Sequence, residues 1–361
     1  MSPLLPAPVA AALAKTSVWG ADGAPSHWLT GLEPGAAGIG ALLDLAATIR
    51  THEAELARSR PLAGKVFAGM FFDPSLRTRT SMDVACAKLG AHFLDLQPGN
   101  SLWTLEFADE VVMDGSSAEH VREAAGVLGR YADALGLRAF PTRGQWEREK
   151  TQPVHSAFAA HAGVPVFNLE GPFAHPCQGL ADALTLRDLF PKPNGKRFVL
   201  TWAPHPKQLP MAVPHSALWA GASQGMEVVL AHPEGFELDA AAVQSARDLA
   251  AASGGTVSIT HDRNAALRGA DVVYAKSWGA VTGGAASTGG HADAVSALKS
   301  WLVTEADLRK GAPARFMHCL PVRRNVVVSD EVLDGELSVV LDQAANRVWA
   351  QAALLLALLG R

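Results

Sequence analysis

Three short segments of this sequence carry cationic and hydrogen-bonding side chains of the kind found in sites for anionic substrates. The first, Ser75 to Thr80 (SLRTRT), follows an apolar run and opens a predicted helix with hydroxyls and two guanidinium groups. Backbone N–H groups at a helix start have no partner in the helix and carry partial positive charge, so a phosphate there would find donors, a dipole and two arginines. Ser75 is the predicted N-cap residue. Taken alone, this segment could also be a capped surface helix with solvated arginines.

The other two segments supply donors and acceptors for a carbonyl group. Arg138 and the run His175 to Gln178 (HPCQ) are donors that could stabilise negative charge on a carbonyl oxygen during nucleophilic attack. In the run Phe316 to Arg324 (FMHCLPVRR), Pro321 lacks a backbone N–H, which leaves nearby carbonyls to accept from an amine. Singly, the arginine could be an ion-pair residue, the histidine a core residue, and Cys319 structural. A nucleophilic Cys319 is disfavoured because no Asp or Glu is obviously placed to orient a histidine beside it.

The order of predicted elements explains how these segments could meet. Short apolar runs alternate with helical segments between residues 65 and 140 and again between 197 and 319. This alternation predicts an α/β fold with two doubly wound domains, each built on a parallel sheet. Ligands of such sheets bind beyond the carboxyl ends of the strands, and the segments above all follow predicted strand ends, as do the loop after Thr201 and Lys276. The predicted strands are 65–72, 92–96, 137–140, 165–169, 197–203, 227–231, 256–260, 271–275 and 315–319, and the predicted helices include 76–89, 118–134, 239–252 and 342–359.

Composition narrows the class of protein. A chain of 361 residues predicts about two domains, and a net charge of -4 argues against a nucleic-acid or anionic-membrane partner. The three cysteines are far apart without CxxC spacing, so we expect no disulfide framework and no zinc site, which fits a reducing cytoplasm. We expect no secretory signal and no membrane segment. Residues 1–26 are predicted to be a loosely held, flexible extension, and the glycine-rich run 279–290 a mobile loop.

The segments SLRTRT, HPCQ and HCLPVRR, followed by Asn346-Arg347, resemble those of the aspartate and ornithine carbamoyltransferases in order and separation. The strings around Trp103 (WTLEF) and at 112–115 (VMDG), 201–206 (TWAPHP) and 274–278 (YAKSW) are similar to the N-acylornithine branch. The resemblance covers the chain from about residue 28 to its end.

The resemblance implies a carbamoyl-phosphate-binding domain over 27–170, joined by the C-terminal helix 342–361, and an acylornithine-binding domain over 171–341. It places the active site in the cleft between them and implies a homotrimer with shared active sites, in which Trp103 and the loop from Asp114 to His120 reach the neighbouring subunit. No cofactor and no metal are implied. The residues expected to bind carbamoyl phosphate are Ser75, Leu76, Arg77, Thr78, Trp103, Arg138, His175, Gln178, Cys319, Leu320 and Arg347, of which Thr78, Arg138, His175, Gln178 and Cys319 are expected to be catalytic. The residues expected to bind the acylornithine are Glu170, His205, Lys276, Arg323, Ala118 and Val327.

Two positions bear on the acyl group. As we align them, the acetylornithine enzymes carry a glutamate where this chain has Ala118 and a lysine where it has Val327. A carboxylate at position 118 would repel a substrate with an extra terminal carboxylate, so its absence favours N-succinylornithine. Neutral drift at both positions, with acetyl specificity retained, is the alternative.

We therefore predict an enzyme that binds carbamoyl phosphate first, closes its domains, and lets the neutral δ-amine of the acylornithine attack the carbamoyl carbon. The alternatives are N-acetylornithine carbamoyltransferase, then ornithine carbamoyltransferase, then a catalytically silent phosphate-binding relative. A nicotinamide-dependent dehydrogenase is excluded because the sequence has no GxGxxG turn between a strand and a helix.

Overall fold

The computed structural model describes residues 5–16, 27–99, 102–141, 146–279 and 295–360. By its contacts the chain divides into two compact units, one of residues Met1–Cys177 with Arg347–Arg361 and one of Gln178–Asn346. Each is built on its own parallel sheet, and the predicted α/β fold class with two domains is confirmed.

The first unit contains a four-stranded parallel sheet in the order β2-β1-β5-β6, with a separate two-stranded ribbon of β3 and β4. Its strands are β1 (Val66–Phe71), β2 (His92–Leu96), β3 (Leu105–Glu106), β4 (Glu119–His120), β5 (Ala134–Arg138) and β6 (Val166–Glu170). The helices that begin in it are α1 (Ala7–Ala14), α2 (Gly35–Thr51), α3 (Glu53–Ser59), α4 (Arg77–Leu89), α5 (Val121–Tyr131), α6 (Trp146–Glu149), α7 (Pro153–His161) and α8 (Pro176–Leu189). The central strands β1 and β5 are buried along nearly their whole length, as expected for strands covered on both faces.

The second unit contains a five-stranded parallel sheet in the order β11-β10-β7-β8-β9. Its strands are β7 (Arg197–Trp202), β8 (Glu227–Ala231), β9 (Thr256–Thr260), β10 (Val272–Lys276) and β11 (Arg315–Met317). The helices that begin in it are α9 (Ala212–Ser223), α10 (Ala240–Ser253), α11 (Arg263–Leu267), α12 (Glu305–Leu308), α13 (Asp330–Asp334) and α14 (Val340–Leu359), with a 3-10 turn at Lys299–Trp301.

Several predicted boundaries differ from the observed ones. The helix predicted over 118–134 begins at Val121 and ends at Tyr131, and the next strand is Ala134–Arg138 instead of 137–140. Small residues such as Ala134 at the start of that strand are typical of the end of a helix, but all five residues of the strand are buried. The strand predicted over 315–319 ends at Met317, because His318 accepts from the N–H of Leu320 through Nδ1 and turns the chain.

The units divide inside two helices, α8 and α14, whereas the predicted divisions lie at 170/171 and 341/342. Sequence signals mark where a helix begins, but not where its contacts change from one unit to the other. Both divisions therefore lie a few residues after the predicted positions.

The N-terminal region is partly folded. Residues 7–14 form α1, which packs against α2, and Val9 is fully buried. The prediction of a loose extension was therefore wrong for this stretch, because its alanine-rich sequence forms a helix with an apolar face. Residues 1–4 and 17–26 lie outside the described residues, as do residues 280–290 of the predicted mobile loop. Within the described ranges, no helix is long and apolar enough to cross a membrane.

Candidate active site

The carboxyl ends of three neighbouring strands bring the first group of predicted site residues together. Phe71, the last residue of β1, pairs with Arg138 of β5, and Arg138 pairs with Glu170 of β6. The Asp73 carboxylate accepts from the N–H of Phe140 at 2.7 Å and ties the loops after β1 and β5 to each other. The sheet therefore places the helix start after β1, the side chain of Arg138 and the end of β6 at one edge.

The helix start after β1 has the expected donors with a different cap. Helix α4 begins at Arg77, so Leu76 and not Ser75 is the N-cap residue. Ser75 lies one residue earlier, and its Oγ still accepts from the N–H of Thr78 at 3.2 Å. This correction leaves the loop between strand and helix one residue longer than predicted.

Arg79 does not take part in the phosphate site predicted at the start of α4. Its Nη1 donates to the carboxylate of Asp95 at 2.6 Å, and its guanidinium lies 4.4 Å from the centre of the Phe71 ring. The hydroxyl-rich helix start therefore contributes one arginine, Arg77, and not two.

Arg138 is held in a single orientation by three neighbours. Its Nε donates to the carbonyl of Pro74 at 3.1 Å, its Nη1 donates to the Glu170 carboxylate, and its guanidinium lies 4.5 Å from the centre of the Phe140 ring. The side chains of the Arg138–Glu170 pair are only 10% and 12% exposed. Such a pair is a strong local constraint, because breaking it would leave one charge buried without its partner.

His175 and Arg347 complete the cluster from two other segments of the first unit. Arg347, on α14, donates from Nη1 to His175 Nε2 at 3.2 Å and from Nη2 to the Thr78 hydroxyl at 2.8 Å. A guanidinium only donates, so Nε2 of His175 acts as the acceptor in this contact. His175 Nε2 also lies 3.5 Å from the Glu170 carboxylate.

The charges of the cluster shift the ionisation of its members. Burial, followed by the charges of Arg347, Arg138 and Arg77, holds the pKa of His175 well below its usual value, so the ring is neutral at pH 7. Burial is also the main cause that lowers the pKa of Arg347. Three guanidiniums therefore surround a neutral imidazole, with Glu170 as the carboxylate in contact with it. This excess of positive charge suits a doubly charged anion such as a phosphate.

In the second unit, hydrogen bonds connect the predicted residues Gln178 and Leu320 through Asp182, Gln343 and His318. Gln178 is buried in the first turn of α8 and donates to Asp182 at 2.7 Å. Cys319 and Leu320 follow β11, and Leu320 has a positive φ of 54°. None of the three cysteines forms a disulfide, and burial raises the pKa of the Cys177 thiol to about 12, which argues against a thiolate there.

The residues predicted to bind the acylornithine fall into separate groups. In the second unit, Arg323 donates from Nε to His205 Nε2 at 3.1 Å, and Lys276 is the buried last residue of β10. Val327 is also buried, and its N–H donates to the carbonyl of Arg323 at 3.0 Å. Glu170, in the first unit, already pairs with Arg138 of the arginine cluster around His175.

Two more predicted residues lie on an exposed stretch of the first unit. Trp103 is 60% exposed, and its indole N–H donates to the Glu119 carboxylate at 2.7 Å. Ala118 is exposed as well, with its N–H facing the carbonyl of Thr104.

Sequence reasoning missed Asp73, Asp182 and Gln343, which hold site segments in place. The available signal was the spacing of Gln178 and Asp182, since residues four apart on a helix face each other. Within the described parts of the chain, no group of three or more His, Cys, Asp or Glu side chains could hold a metal ion.

Comparison with known proteins identifies the family. The model of the aspartate/ornithine carbamoyltransferase carbamoyl-P binding domain matches residues 27–188, and that of the Asp/Orn binding domain matches residues 211–358. The chain belongs to the aspartate/ornithine carbamoyltransferase family. The predicted family and enzyme class are thus confirmed.

Within the aspartate/ornithine carbamoyltransferases, the chain is similar to enzymes named for two acylated ornithines. It is 40% identical over 342 residues to N-acetylornithine carbamoyltransferase of Xanthomonas campestris pv. campestris, covering 93% of this chain and 98% of the relative. It is 38% identical over 297 residues to N-succinylornithine carbamoyltransferase of Bacteroides fragilis, covering 82% and 87%. Among solved structures, a glutamate-to-alanine variant of N-acetyl-L-ornithine transcarbamylase, complexed with carbamyl phosphate and N-succinyl-L-norvaline, matches with a TM-score of 0.87 at 41% identity, covering 92% and 99%.

Proposed function

We propose that this protein transfers the carbamoyl group of carbamoyl phosphate to the δ-amine of N-succinyl-L-ornithine, giving N-succinyl-L-citrulline and phosphate in arginine biosynthesis. The observation that carries the reaction class is the cluster of Arg77, Arg138 and Arg347 around His175 at the start of α4. Three cations and the backbone donors of a helix start suit a phosphate dianion.

The arrangement of donors supports attack on the carbamoyl carbon. Thr78 accepts from Arg347 through its oxygen, so the hydroxyl proton remains to be donated elsewhere. Arg138 is held rigidly by Pro74 and Glu170, which lets it stabilise charge on the carbonyl oxygen without reorganisation. Phosphate is already a good leaving group, so orientation and charge stabilisation supply the catalysis, and the phosphate accepts a proton from the attacking amine.

The second substrate is assigned to the remaining predicted residues. The cations of Lys276 and Arg323 suit the carboxylates of an acylated ornithine, and His205 orients Arg323. Glu170 is a further ligand for this substrate, in addition to its contact with Arg138. Trp103 completes the carbamoyl phosphate site of a neighbouring subunit in a homotrimer. This assembly and the cytoplasmic location stay predictions from sequence.

The choice of the succinyl group depends chiefly on Ala118. This residue is exposed and places only a methyl group where the acetylornithine enzymes, in our alignment, have a glutamate. A terminal carboxylate on the substrate therefore meets no like charge there. Variants of N-acetyl-L-ornithine transcarbamylase with a glutamate replaced by alanine, proline or serine have been crystallised with N-succinyl-L-norvaline, which supports the idea that loss of a glutamate admits a succinyl group.

N-acetyl-L-ornithine is the second candidate substrate, favoured by the 40% identity to an N-acetylornithine carbamoyltransferase. Steady-state turnover of N-succinyl-, N-acetyl- and unmodified ornithine, each with saturating carbamoyl phosphate, tests the assignment. We expect the highest kcat/KM for the succinyl substrate. A higher value for the acetyl substrate would replace the proposal by the second candidate, and binding of carbamoyl phosphate without turnover of any of the three would indicate a silent relative.

The variant Ala118→Glu tests the role of the position directly. We expect kcat/KM for N-succinylornithine to fall at least about tenfold more than that for N-acetylornithine, because a like-charge contact near a protein surface costs about 1.4 kcal/mol or more. Ala87→Glu, which puts the same charge on an exposed face of α4, is the matched control and should change both values little. Equal losses on the two substrates in Ala118→Glu would remove the argument for succinyl specificity.

A further inference from the structure

A buried carboxylate of the second unit accepts hydrogen bonds from two glutamine side chains. Asp182 is fully buried on α8, and its Oδ1 accepts from Gln178 Nε2 at 2.7 Å and from Gln343 Nε2 at 2.6 Å. All three side chains are at most 1% exposed. Sequence reasoning gave a role to Gln178 alone.

The chemistry of these contacts fixes the orientation of both amides. A carboxylate oxygen only accepts hydrogen bonds, so each glutamine must turn its NH₂ group toward Asp182. The second contact of Gln343 requires the same orientation of its amide, because Oε1 accepts from the backbone N–H of His318 at 3.0 Å. The direction of every hydrogen bond in the chain from His318 to Gln178 is therefore set.

The same argument applies to the carbonyl oxygen of Gln178. With Nε2 directed at Asp182, the amide turns Oε1 away from the carboxylate. Gln178 and Asp182 are four residues apart on α8, so the contact forms within one helical turn and is preorganised by the helix itself. The amide thereby presents an acceptor, and not a donor, on its far side.

Asp182 is linked in the same way to the segment after β11. Gln343 connects it to the N–H of His318, and His318 Nδ1 accepts from the N–H of Leu320 at 2.9 Å. The N–H groups of His318 and Leu320 are thus engaged within the unit, while Pro321 has none. What the segment can offer a ligand is its carbonyl oxygens.

We infer that Asp182 is a positioning residue that makes Gln178 and the His318–Leu320 segment acceptors for the NH₂ group of carbamoyl phosphate, and so selects this substrate over acyl phosphates that lack the group. This inference depends on the proposed function, because it takes carbamoyl phosphate as the substrate. Asp182 does not touch the ligand, and it acts through the side chains that it orients.

The selection follows from the chemistry of the two ligands. Acetyl phosphate has the same phosphate group and nearly the same shape, but a methyl group replaces the NH₂. Acceptors that face the methyl group would lose their hydrogen bonds, and leaving buried polar groups unpaired is how enzymes reject such analogues most strongly. Guanidinium groups that contact the phosphate would bind both compounds alike, because both carry the same phosphate group.

The experiment compares the wild-type enzyme with Asp182→Leu and the smaller Asp182→Ala, which both remove the Oδ1 acceptor, and with Asp182→Asn, the conservative control that keeps it. For each protein we would measure KM for carbamoyl phosphate and the inhibition constant of acetyl phosphate, at saturating N-succinylornithine or whichever ornithine the wild type turns over. The selectivity is the ratio of the inhibition constant to KM. We expect the ratio to fall by about tenfold in Asp182→Leu and in Asp182→Ala, the size of one lost hydrogen bond, and to change little in Asp182→Asn.

A control separates this effect from loss of stability. Asp307 is another buried carboxylate of the second unit, bound to Arg263 and Lys310 instead of to glutamines. Asp307→Asn should lower the melting temperature and leave the selectivity ratio unchanged.

An unchanged ratio in Asp182→Leu would overturn the inference, as would an unchanged ratio in Asp182→Ala if the leucine variant does not fold. Wild-type protein that turns over no ornithine substrate would instead refute the proposed function. The two failures are therefore distinguishable.

Discussion

Replacing Glu170 by glutamine should make the ligand-free protein less stable and yet strengthen its binding of phosphate. Glu170 is the carboxylate that contacts Arg138 and lies beside His175, in a cluster that also contains Arg77 and Arg347. The wild-type cluster has three guanidiniums and one carboxylate, which gives 3 − 1 = 2 excess positive charges. In Glu170→Gln the excess is three.

The two effects have different sizes. Removing one partner of a buried ion pair costs about 3–5 kcal/mol, but glutamine can still accept from Arg138, so we expect a loss of about 2–3 kcal/mol in the free energy of unfolding. At about 5–10 Å and an effective dielectric constant of about 20, a carboxylate repels a bound dianion by about 3–7 kcal/mol before screening by water and salt. A net gain of about 1–2 kcal/mol after screening corresponds to phosphate binding that is about 5- to 30-fold tighter.

The assay is calorimetric titration with inorganic phosphate at pH 7, together with thermal unfolding with and without phosphate. Ligand binding stabilises the folded state by mass action, so the phosphate-induced rise in melting temperature should be larger in the variant than in the wild type. Asp307→Asn, which breaks an ion pair of the second unit, should be destabilised without any change in phosphate affinity. Folded Glu170→Gln that binds phosphate no more tightly than wild type would refute the view that this carboxylate offsets the charge of the cluster.

Three further predictions concern single groups. Arg347→Lys should lower kcat/KM for carbamoyl phosphate by about tenfold or more, because an ammonium ion cannot replace the two-pronged contact with His175 and Thr78; unchanged steady-state kinetics would contradict this. Burial and the charges of Arg347, Arg138 and Arg77 hold the pKa of His175 well below the 6.5 of a free histidine. Below pH 6.5 the unfolded chain binds a proton that the folded site resists. The free energy of unfolding of the wild type, measured by urea unfolding, should therefore fall more steeply as the pH is lowered than that of His175→Gln. Burial alone would raise the pKa of Asp307, but hydrogen bonds from Arg263 and Lys310 together outweigh burial and lower the pKa from 3.8 to about 2. Asp307 therefore contributes about 2 kcal/mol of stability above pH 4 that is lost as pH falls toward 2. Urea unfolding of Asp307→Asn at pH 7 and pH 3 should show a smaller difference from wild type at the lower pH.

The sequence was most informative where local physics decides the structure. Apolar runs such as Val66–Phe71 and Glu227–Ala231 could be placed within a residue because short runs rich in β-branched and aromatic residues are typical of buried strands. The position of Lys276 at a strand end followed from the same pattern, whereas Arg138 ends β5 although the predicted strand was 137–140. Parallel strands bring their carboxyl ends to one edge of the sheet. The approximate location of the arginine cluster around His175 could therefore be anticipated.

The sequence was least informative about long-range pairing. Arg79 and Arg77 look alike in SLRTRT, and only the fold shows that Asp95, on the neighbouring strand, binds Arg79. Glu170 was assigned to the second substrate alone, since nothing in the sequence brings it to Arg138, 32 residues earlier. Asp182 and Gln343 are 161 residues apart, and hydrogen bonds at that separation leave no local pattern to detect.

We infer that the charge of the phosphate group and the NH₂ donor of the carbamoyl group are recognised by different side chains of the protein. Guanidiniums such as Arg77 and Arg347 attract any phosphate dianion, because their attraction depends on charge and distance and not on the rest of the ligand. A carbamoyl group differs from an acetyl group only in its NH₂, so its recognition requires neutral acceptors with a fixed orientation, which Asp182 provides for Gln178. Variants of the cationic cluster should therefore weaken carbamoyl phosphate, acetyl phosphate and inorganic phosphate by similar factors. Variants of Asp182 that remove the Oδ1 acceptor should change the ratio between the first two and leave inorganic phosphate nearly unaffected, and a variant of Arg77 that changed this ratio as much as Asp182→Leu would show that the two kinds of recognition are not separate.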